Sequence, residues 1–410
     1  MTVPASLDEL TLVFRQIWGP TVASIARWSG DLAVAEDSVQ EACADAVAAW
    51  SAEGLPDEPA AWLLVAARRR ALDRFRRESS RAGKELTAVT DPSLRRPPSE
   101  PTFVRDDELR MMFTCAHPAL EPRSQLALTL RLVSGLTVPE ISRALLQSET
   151  AVGQRITRAK AKIRAANIPL RVPSAESLPE RTAHVLACIY SVFTEGYSTT
   201  AGVSAIRDDL CDEGVRLAGE FCSLVPADRD AHALSALVLL HDSRRDTRVD
   251  ASGALIPLDE QDRTRWNRAR IRAGCDQLTR AAGASGIYLP QAIIAAYHAS
   301  AMSWQTTDWN GICAAYAHLV ELTDSPIARA NQALALGFRD GFDIGLAALE
   351  PLDDERSLTA SPLVPSIRAD LLRRSGRFAE AVGAYEVALE RGGSEPVRRF
   401  WEKRIAECVG

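Results

Sequence analysis

The sequence carries eight cysteines without a single CxxC pair, and it has no HExxH, no Walker-type loop and no GxGxxG. Each absence removes a class of chemistry. Cysteines scattered at positions 43, 115, 188, 211, 222, 275, 313 and 408 give neither zinc-finger spacing nor a disulfide framework, so buried free thiols are expected. Cys115-Ala116-His117 brings two ligand types together, but two ligands rarely make a metal site, and neither metal nor cofactor is expected. His232, His241-Asp242, Asp208-Asp209 and Glu213 include ligand and acid–base types in no catalytic signature. Capped and salt-bridged helix ends account for them, and the chain is not expected to be an enzyme. Also missing is any run near eighteen uninterrupted apolar residues, and MTVPASLDEL lacks a basic region followed by an apolar one. Neither export nor membrane spanning is supported, which places the protein in the cytoplasm.

What is present is globular composition, 46% hydrophobic and 25% charged, over 410 residues, enough for two to four compact units. The net charge of -6 is divided unevenly. Residues 1–170 hold 22 Lys and Arg against 21 Asp and Glu, and the remainder 26 against 33, or +1 against -7. Within the near-neutral part the cations cluster: Pro59 to Glu85 has eight against three acids, and Ser148 to Arg171 six against one. One such run is ordinarily a solvated helix face. Two, each on a helix with further signals, suit phosphate binding by specific elements.

Helical periodicity fills almost every long segment, and helix breakers divide it, so the expected class is all-α. Residues 1–85 form a first block. Residues 86–102 form a linker whose prolines, Asp91-Pro92 and Arg95-Arg96-Pro97-Pro98-Ser99-Glu100-Pro101, forbid continuous helix. Residues 103–171 form a second small block and residues 172–410 a large helical domain. Its one β signal is Thr247 to Leu258, where Asp250-Ala251-Ser252-Gly253 can turn a small hairpin.

In the second block, Thr137-Val138-Pro139-Glu140 reads as a capping box, and Ser148 can cap another helix after a tight connection. Val152, Ile156, Ala159 and Ile163 recur at helical spacing and make one apolar stripe. The other side presents Thr150, Gly153, Gln154, Thr157, Arg158 and Ala161, flanked by Arg155, Lys160, Lys162 and Arg164. Small and polar residues early for base edges, with cations later for phosphates, is helix-turn-helix logic. In the first block, Val39, Cys43, Ala46 and Trp50 form a core stripe that leaves Glu36, Asp37, Gln40 and Glu41 as an exposed acidic surface for a basic protein partner. After Pro56 and Pro59 comes a helix that is apolar early and cationic late, containing Trp62, Arg69, Arg70, Asp73, Arg74, Arg76 and Arg77. Its arginines can hold a DNA backbone while polar neighbours take up an unstacked base.

The ordered set of an AEDxVQE helix, a Pro-x-x-Trp-Leu helix ending in Asp-Arg-x-Arg-Arg, a proline linker and Gly135-Leu136-Thr137-Val138-Pro139-Glu140-Ile141 before a basic helix resembles extracytoplasmic-function sigma factors of the sigma-70 family. The resemblance covers about residues 7–170. It implies two small helical sigma domains, the second a helix-turn-helix, that bind core RNA polymerase at the β′ clamp helices and β flap and direct it to promoter DNA. Glu36, Asp37, Gln40 and Glu41 would meet core polymerase. Trp62, Arg69, Arg70, Asp73, Arg74, Arg76 and Arg77 would bind the minus-ten element, and the helix from Glu149 would read the minus-thirty-five element. Two positions depart from the family pattern: Arg69 stands where Asn is frequent, and Leu146-Gln147 where Leu-Gly is usual. Without the resemblance, the residues also suit a helix-turn-helix regulator with a helical sensor domain acting without polymerase.

Near the end, Gly376, Phe378, Ala381, Tyr385 and Ala388 fall at the spacings of a tetratricopeptide helix pair, small residues allowing close approach and aromatics filling the gap. Asp308 to Leu322 and Ala328 to Leu352 look like degenerate neighbours, predicting a short stacked array. With Leu178-Pro179-Glu180-Arg181 and Phe193-Thr194-Glu195-Gly196-Tyr197, the extension resembles that of sigma factors with a tetratricopeptide-like C-terminal fusion. That likeness implies a regulatory role, with an unidentified ligand or protein partner, in place of a separate membrane anti-sigma protein.

Overall fold

The computed structural model describes residues 6–82, 105–145, 147–197, 206–250 and 253–410. The proline linker and Leu146 lie outside these residues. The described chain is helical throughout and divides into two compact units, 1–188 and 189–410.

In the first unit, α1 spans Leu7–Ser29, capped by Ser6, whose hydroxyl accepts from the Glu9 amide at 3.2 Å. It stops at Gly30, whose φ of 72° is the left-handed conformation that ends helices without a Cβ penalty. Asp31 at once caps α2, Leu32–Glu53, accepting from the amides of Ala33 and Val34. The third helix, α3, begins at a proline and spans Pro59–Ala82. Trp50 joins all three: it stacks on Phe14 of α1 at 5.3 Å and meets Trp62 of α3 edge-on at 5.3 Å. Val22, Ile25, Val39, Leu63 and Ala67 complete a core closed to solvent.

Four shorter helices follow: α4 (Arg105–Cys115), α5 (Pro122–Leu128), α6 (Val138–Leu145) and α7 (Glu149–Ala165). A π-helical turn, Thr129–Val133, follows α5 directly. The capping box forms as the sequence predicts, with the Thr137 amide donating to Glu140 at 2.7 Å and the Glu140 amide to Thr137 Oγ1 at 3.3 Å. Ser148 caps α7 through the Ala151 amide. Helix α8, Leu178–Tyr197, begins within the first unit, where Arg181 donates to the Phe113 carbonyl and Cys188 lies 3.3 Å from Thr129 Oγ1.

The second unit contains ten further helices among the described residues: α9 (Asp208–Leu224), α10 (Arg229–Asp242), α11 (Arg268–Arg280), α12 (Tyr288–Ser300), α13 (Trp309–Thr323), α14 (Pro326–Asp340), α15 (Phe342–Leu349), α16 (Leu363–Arg374), α17 (Phe378–Arg391) and α18 (Glu395–Val409). Helix α10 is buried from Ala231 through Val238 and again at Leu240, on all its faces, which makes it the centre around which α9, α11 and α12 pack. From α13 onward each helix packs on its sequence neighbour, as in a stacked array. The expected hairpin is reduced to one antiparallel bridge, Val249 to Leu255; Ala251 and Ser252 lie outside the described residues. Ala381, Tyr385 and Ala388 of α17 are buried as their spacing requires, but Phe378 is 49% exposed. As the first residue of α17, it sits beyond the gap that it was expected to fill. All eight cysteines are free, five of them buried.

Candidate nucleic-acid interface

The geometry of α7 follows from its stripe. Val152, Ile156, Ala159 and Ile163 are buried, so the helix has one rotational setting, and Thr150, Gln154, Thr157, Arg158, Ala161 and Lys162 stand in solvent. A Cβ added at Gly153 would meet nothing within 4 Å, so the helix surface there is open to close approach. Arg158 is steadied by Gln154 at 3.2 Å, and half-buried Arg155 reaches Glu121 at 3.2 Å.

On α3, Arg69, Asp73, Arg76 and Arg77 are exposed, and Trp62 is half-buried against Trp50. Arg76 donates to Asp73 at 3.1 Å, and Arg77 to the Asp73 carbonyl at 3.2 Å. Arg70 and Arg74 face α2. Arg70 forks onto Asp45, with Nε–Oδ2 at 2.8 Å and Nη2–Oδ1 at 2.5 Å, and Arg74 pairs with Asp37. The Asp45 carboxylate holds the Arg70 guanidinium above its ordinary range. The acidic face of α2 and the basic face of α3 are therefore laced together, with Gln40 and Glu41 exposed and Asp37 half-buried.

Glu36 departs from the sequence expectation. It is 5% exposed rather than part of the acidic surface. Its Oε1 accepts from Arg131 Nε at 2.5 Å and its Oε2 from Lys160 Nζ at 2.7 Å. Burial by itself would raise the carboxyl pKa, but the two cations more than offset this and hold it below the ordinary value. Lys160 is accordingly half-buried, engaged by a carboxylate rather than facing phosphates. Spacing explains the error: Glu36 lies four residues after Leu32 and three before Val39, on the buried stripe itself.

Arg131 is the residue at this junction that sequence reasoning missed. It is buried, donates also to the Leu136 carbonyl at 3.0 Å and to Gln40 at 3.3 Å, and lies 5.1 Å over the Trp18 ring. A lone arginine inside the apolar run Leu126-Ala-Leu-Thr-Leu-Arg-Leu-Val133 was its trace, because a charge in such a run needs a buried partner. Around it the two helical blocks, residues 6–82 and 105–165, the two proposed readers of DNA, meet at other points. Trp18 Nε1 donates to the Arg131 carbonyl at 3.1 Å, Arg27 to Asp107 at 2.8 Å and Arg15 to Glu140 at 3.2 Å, while Arg164 pairs with Asp31.

Most of the residues weighed for enzymatic chemistry are held by neighbouring groups. His232 is held between Gln277 at 2.6 Å and the Pro226 carbonyl at 3.0 Å. Asp242 pairs with Arg270 and Arg245, Asp208 and Asp212 with Arg245, and Glu213 with Arg216. Among the described residues no cluster of three His, Cys, Asp or Glu is placed to hold a metal ion, and no helix is long and apolar enough to cross a membrane.

A helix-turn-helix with a cationic face, beside a helix pair with an acidic and an arginine-rich face, is the arrangement of a DNA-binding protein. Comparison with known proteins narrows this class. Residues 16–81 match sigma-70 region 2 and residues 110–163 match sigma-70 region 4. Residues 181–282 match a family of unknown function, DUF6596. An uncharacterised protein of Rhizobium meliloti (strain 1021) is 40% identical over 383 residues, covering 91% of this chain and 90% of that one. The chain belongs to the sigma-70 family, as a sigma factor of the extracytoplasmic-function type with a C-terminal extension.

Proposed function

We propose that this sigma factor binds core RNA polymerase with the α2 surface around Asp37, Gln40 and Glu41 on the β′ clamp helices and with region 4 on the β flap, and that α3 takes the minus-ten element while α7 reads the minus-thirty-five element. The observation that carries the reading is α7, where a buried stripe fixes the helix and leaves Thr150, Gln154, Thr157 and Arg158 outward with Lys162 behind them. Polar side chains near the start of such a helix reach base edges, and cations farther along meet phosphates.

The form described is a closed one. Elements named for positions minus ten and minus thirty-five lie about 25 base pairs apart, roughly 85 Å at about 3.4 Å per pair. Glu36 and Lys160, on the two readers, are 2.7 Å apart. Engaging both elements therefore requires α7 to leave α2, with residues 83–104 as the intervening chain. The C-terminal extension would then act by biasing closed against open.

Reconstitution tests the assignment. Purified full chain added to core polymerase is expected to give initiation that depends on a promoter. Protection of duplex DNA by the chain alone, with no gain on adding core, would instead mark a helix-turn-helix regulator that acts without polymerase. A variant ending after Tyr197 separates the extension's effect from damage to region 4, because a cut after Leu170 also removes the Arg181 bond to Phe113 and the Cys188 contact with Thr129.

A further inference from the structure

The second unit contains an open-mouthed cavity of about 830 Å³, bordered by α10, α12, α13, α14, α16 and α18. That size lies within the range of about 300 to 1,000 Å³ that accommodates small organic ligands. One wall is aromatic. Trp309 stacks on Phe338 at 4.5 Å, and Trp304 meets Trp309 edge-on at 4.9 Å and Phe338 at 5.0 Å. The His298 ring lies parallel to Trp304 at 6.1 Å, leading from the aromatic wall to the polar end.

At that end is Arg244, which also lines the cavity. Its nearest polar neighbours are neutral: Gln261 Oε1 at 3.5 Å and His241 Nδ1 at 3.4 Å, with the Tyr197 ring 5.5 Å away. Other cavity arginines are neutralised, Arg374 by Asp259 and Asp370 and Arg404 by Glu260 and Glu407. Arg244 has no carboxylate partner among the described residues, and neither do the nearby Arg248 and Arg263. Arg263 is turned to the carbonyls of His298 and Ala301, and Arg248 lies over Tyr197 at 3.7 Å. His298 Nδ1 is buried with no hydrogen-bond partner among the described residues. Burial and the adjacent guanidiniums push His298 down to about 3 and His241 well below its ordinary range, so both rings are neutral near pH 7. A positive charge largely withdrawn from water, without a counter-charge, is costly unless an anion meets it.

We propose that this cavity is a ligand site for a small aromatic carboxylic acid, its ring against Trp304, Trp309 and Phe338 and its carboxylate on Arg244 and His298. The inference does not rest on the promoter assignment, because it concerns binding by the second unit and is read by binding alone. An arginine fork matches a carboxylate in geometry and charge, and the stacked rings favour a flat body over a flexible chain. The site gives the extension a chemical input of its own.

Calorimetric titration of the full chain with 2-naphthoxyacetate, its neutral amide and octanoate tests this. The acid is expected to bind at least about tenfold more tightly than either comparator. Arg244→Met, which keeps the apolar stem, should bring the acid to the level of the amide and leave the amide unchanged. Asn331→Trp, which fills the cavity from α14, should abolish binding of both while Arg244 remains; circular dichroism of both variants reports folding. No heat from the acid up to about 5 mM, equal affinity for acid and amide, tighter binding of octanoate, or a folded Arg244→Met variant that binds the acid like the parent would each overturn the proposal.

Discussion

Lys160 Nζ donates to Glu36 Oε2 at 2.7 Å, so the helix proposed to read the upstream element is tied to the helix proposed to meet polymerase. Glu36 is shared with Arg131, and the side chains of all three are largely withdrawn from solvent. Pairs on the surface contribute little, but a carboxylate held by two cations in a low-dielectric interior is a discriminating contact: removing one member leaves charge uncompensated. Promoter phosphates would compete for Lys160 with this carboxylate. Opening the readers and binding DNA, as proposed, would then be coupled through one lysine.

Glu36→Gln is expected to destabilise the first unit by about 3 kcal/mol, the cost of leaving buried cations unpaired. The sign of the pH dependence follows from the lowered carboxyl pKa. The contribution is complete above the ordinary value of 4.5 and is lost as pH falls below it through the folded-state pKa. Urea unfolding should show parent and variant farthest apart at neutral pH and converging in acid. A gap unchanged between the two conditions would exclude the ion pair as its source.

Asp37→Lys with Glu41→Lys is expected to weaken association with core polymerase while costing less than about 1 kcal/mol in stability, because both side chains are substantially exposed. Arg74 loses its bond to Asp37 in this variant and Arg70 keeps Asp45. The measurement is affinity for core by fluorescence anisotropy beside a melting curve. Unchanged affinity removes the clamp assignment for α2.

Local features were legible in the sequence because their causes are local. The Thr137 capping box, the Ser148 cap and the α7 stripe each rest on residues within two turns of one another. Asp45 as the partner of Arg70, and Arg131 as the partner of Glu36, required knowledge of which helices meet, which spacing on a single helix does not contain. Glu36 was misplaced for a different reason. Its register with Leu32 and Val39 assigned it to the core, but its charge was read as a mark of the surface. The cavity was not legible at all, since Arg244, His298, Trp309 and Phe338 come from separate helices and a loop, joined only by packing.

Arg158→Ala is expected to reduce binding at the minus-thirty-five element by about 1 to 3 kcal/mol if the guanidinium contacts a base, and to relax preference at that position. It is exposed and bonded to Gln154, with no ion pair among the described residues, so it is available on the proposed reading side of α7. Holoenzyme affinity across single-base variants of the element distinguishes the roles. A loss uniform over all sequences makes Arg158 a phosphate contact.

Gly19 offers a way to open the readers without altering any proposed contact to DNA or polymerase. A Cβ added there would lie 2.5 Å from the Val133 carbonyl oxygen, which belongs to backbone in the π-helical turn and has no flexible end to move aside. Gly19→Ala must therefore push α1 off that turn, stretching the neighbouring bond from Trp18 Nε1 to the Arg131 carbonyl. The expected cost is about 1 to 3 kcal/mol, typical of overpacking. If the closed form limits promoter engagement, the variant should initiate more readily than the parent at equal concentration, and its Trp18 should become more accessible to a fluorescence quencher. Greater Trp18 accessibility with no gain in initiation would show that the readers separate freely and that closure does not control activity. The comparison is informative because the two readouts depend on different things: accessibility follows the α1 contact alone, and initiation follows it only if Glu36 and Lys160 must part first.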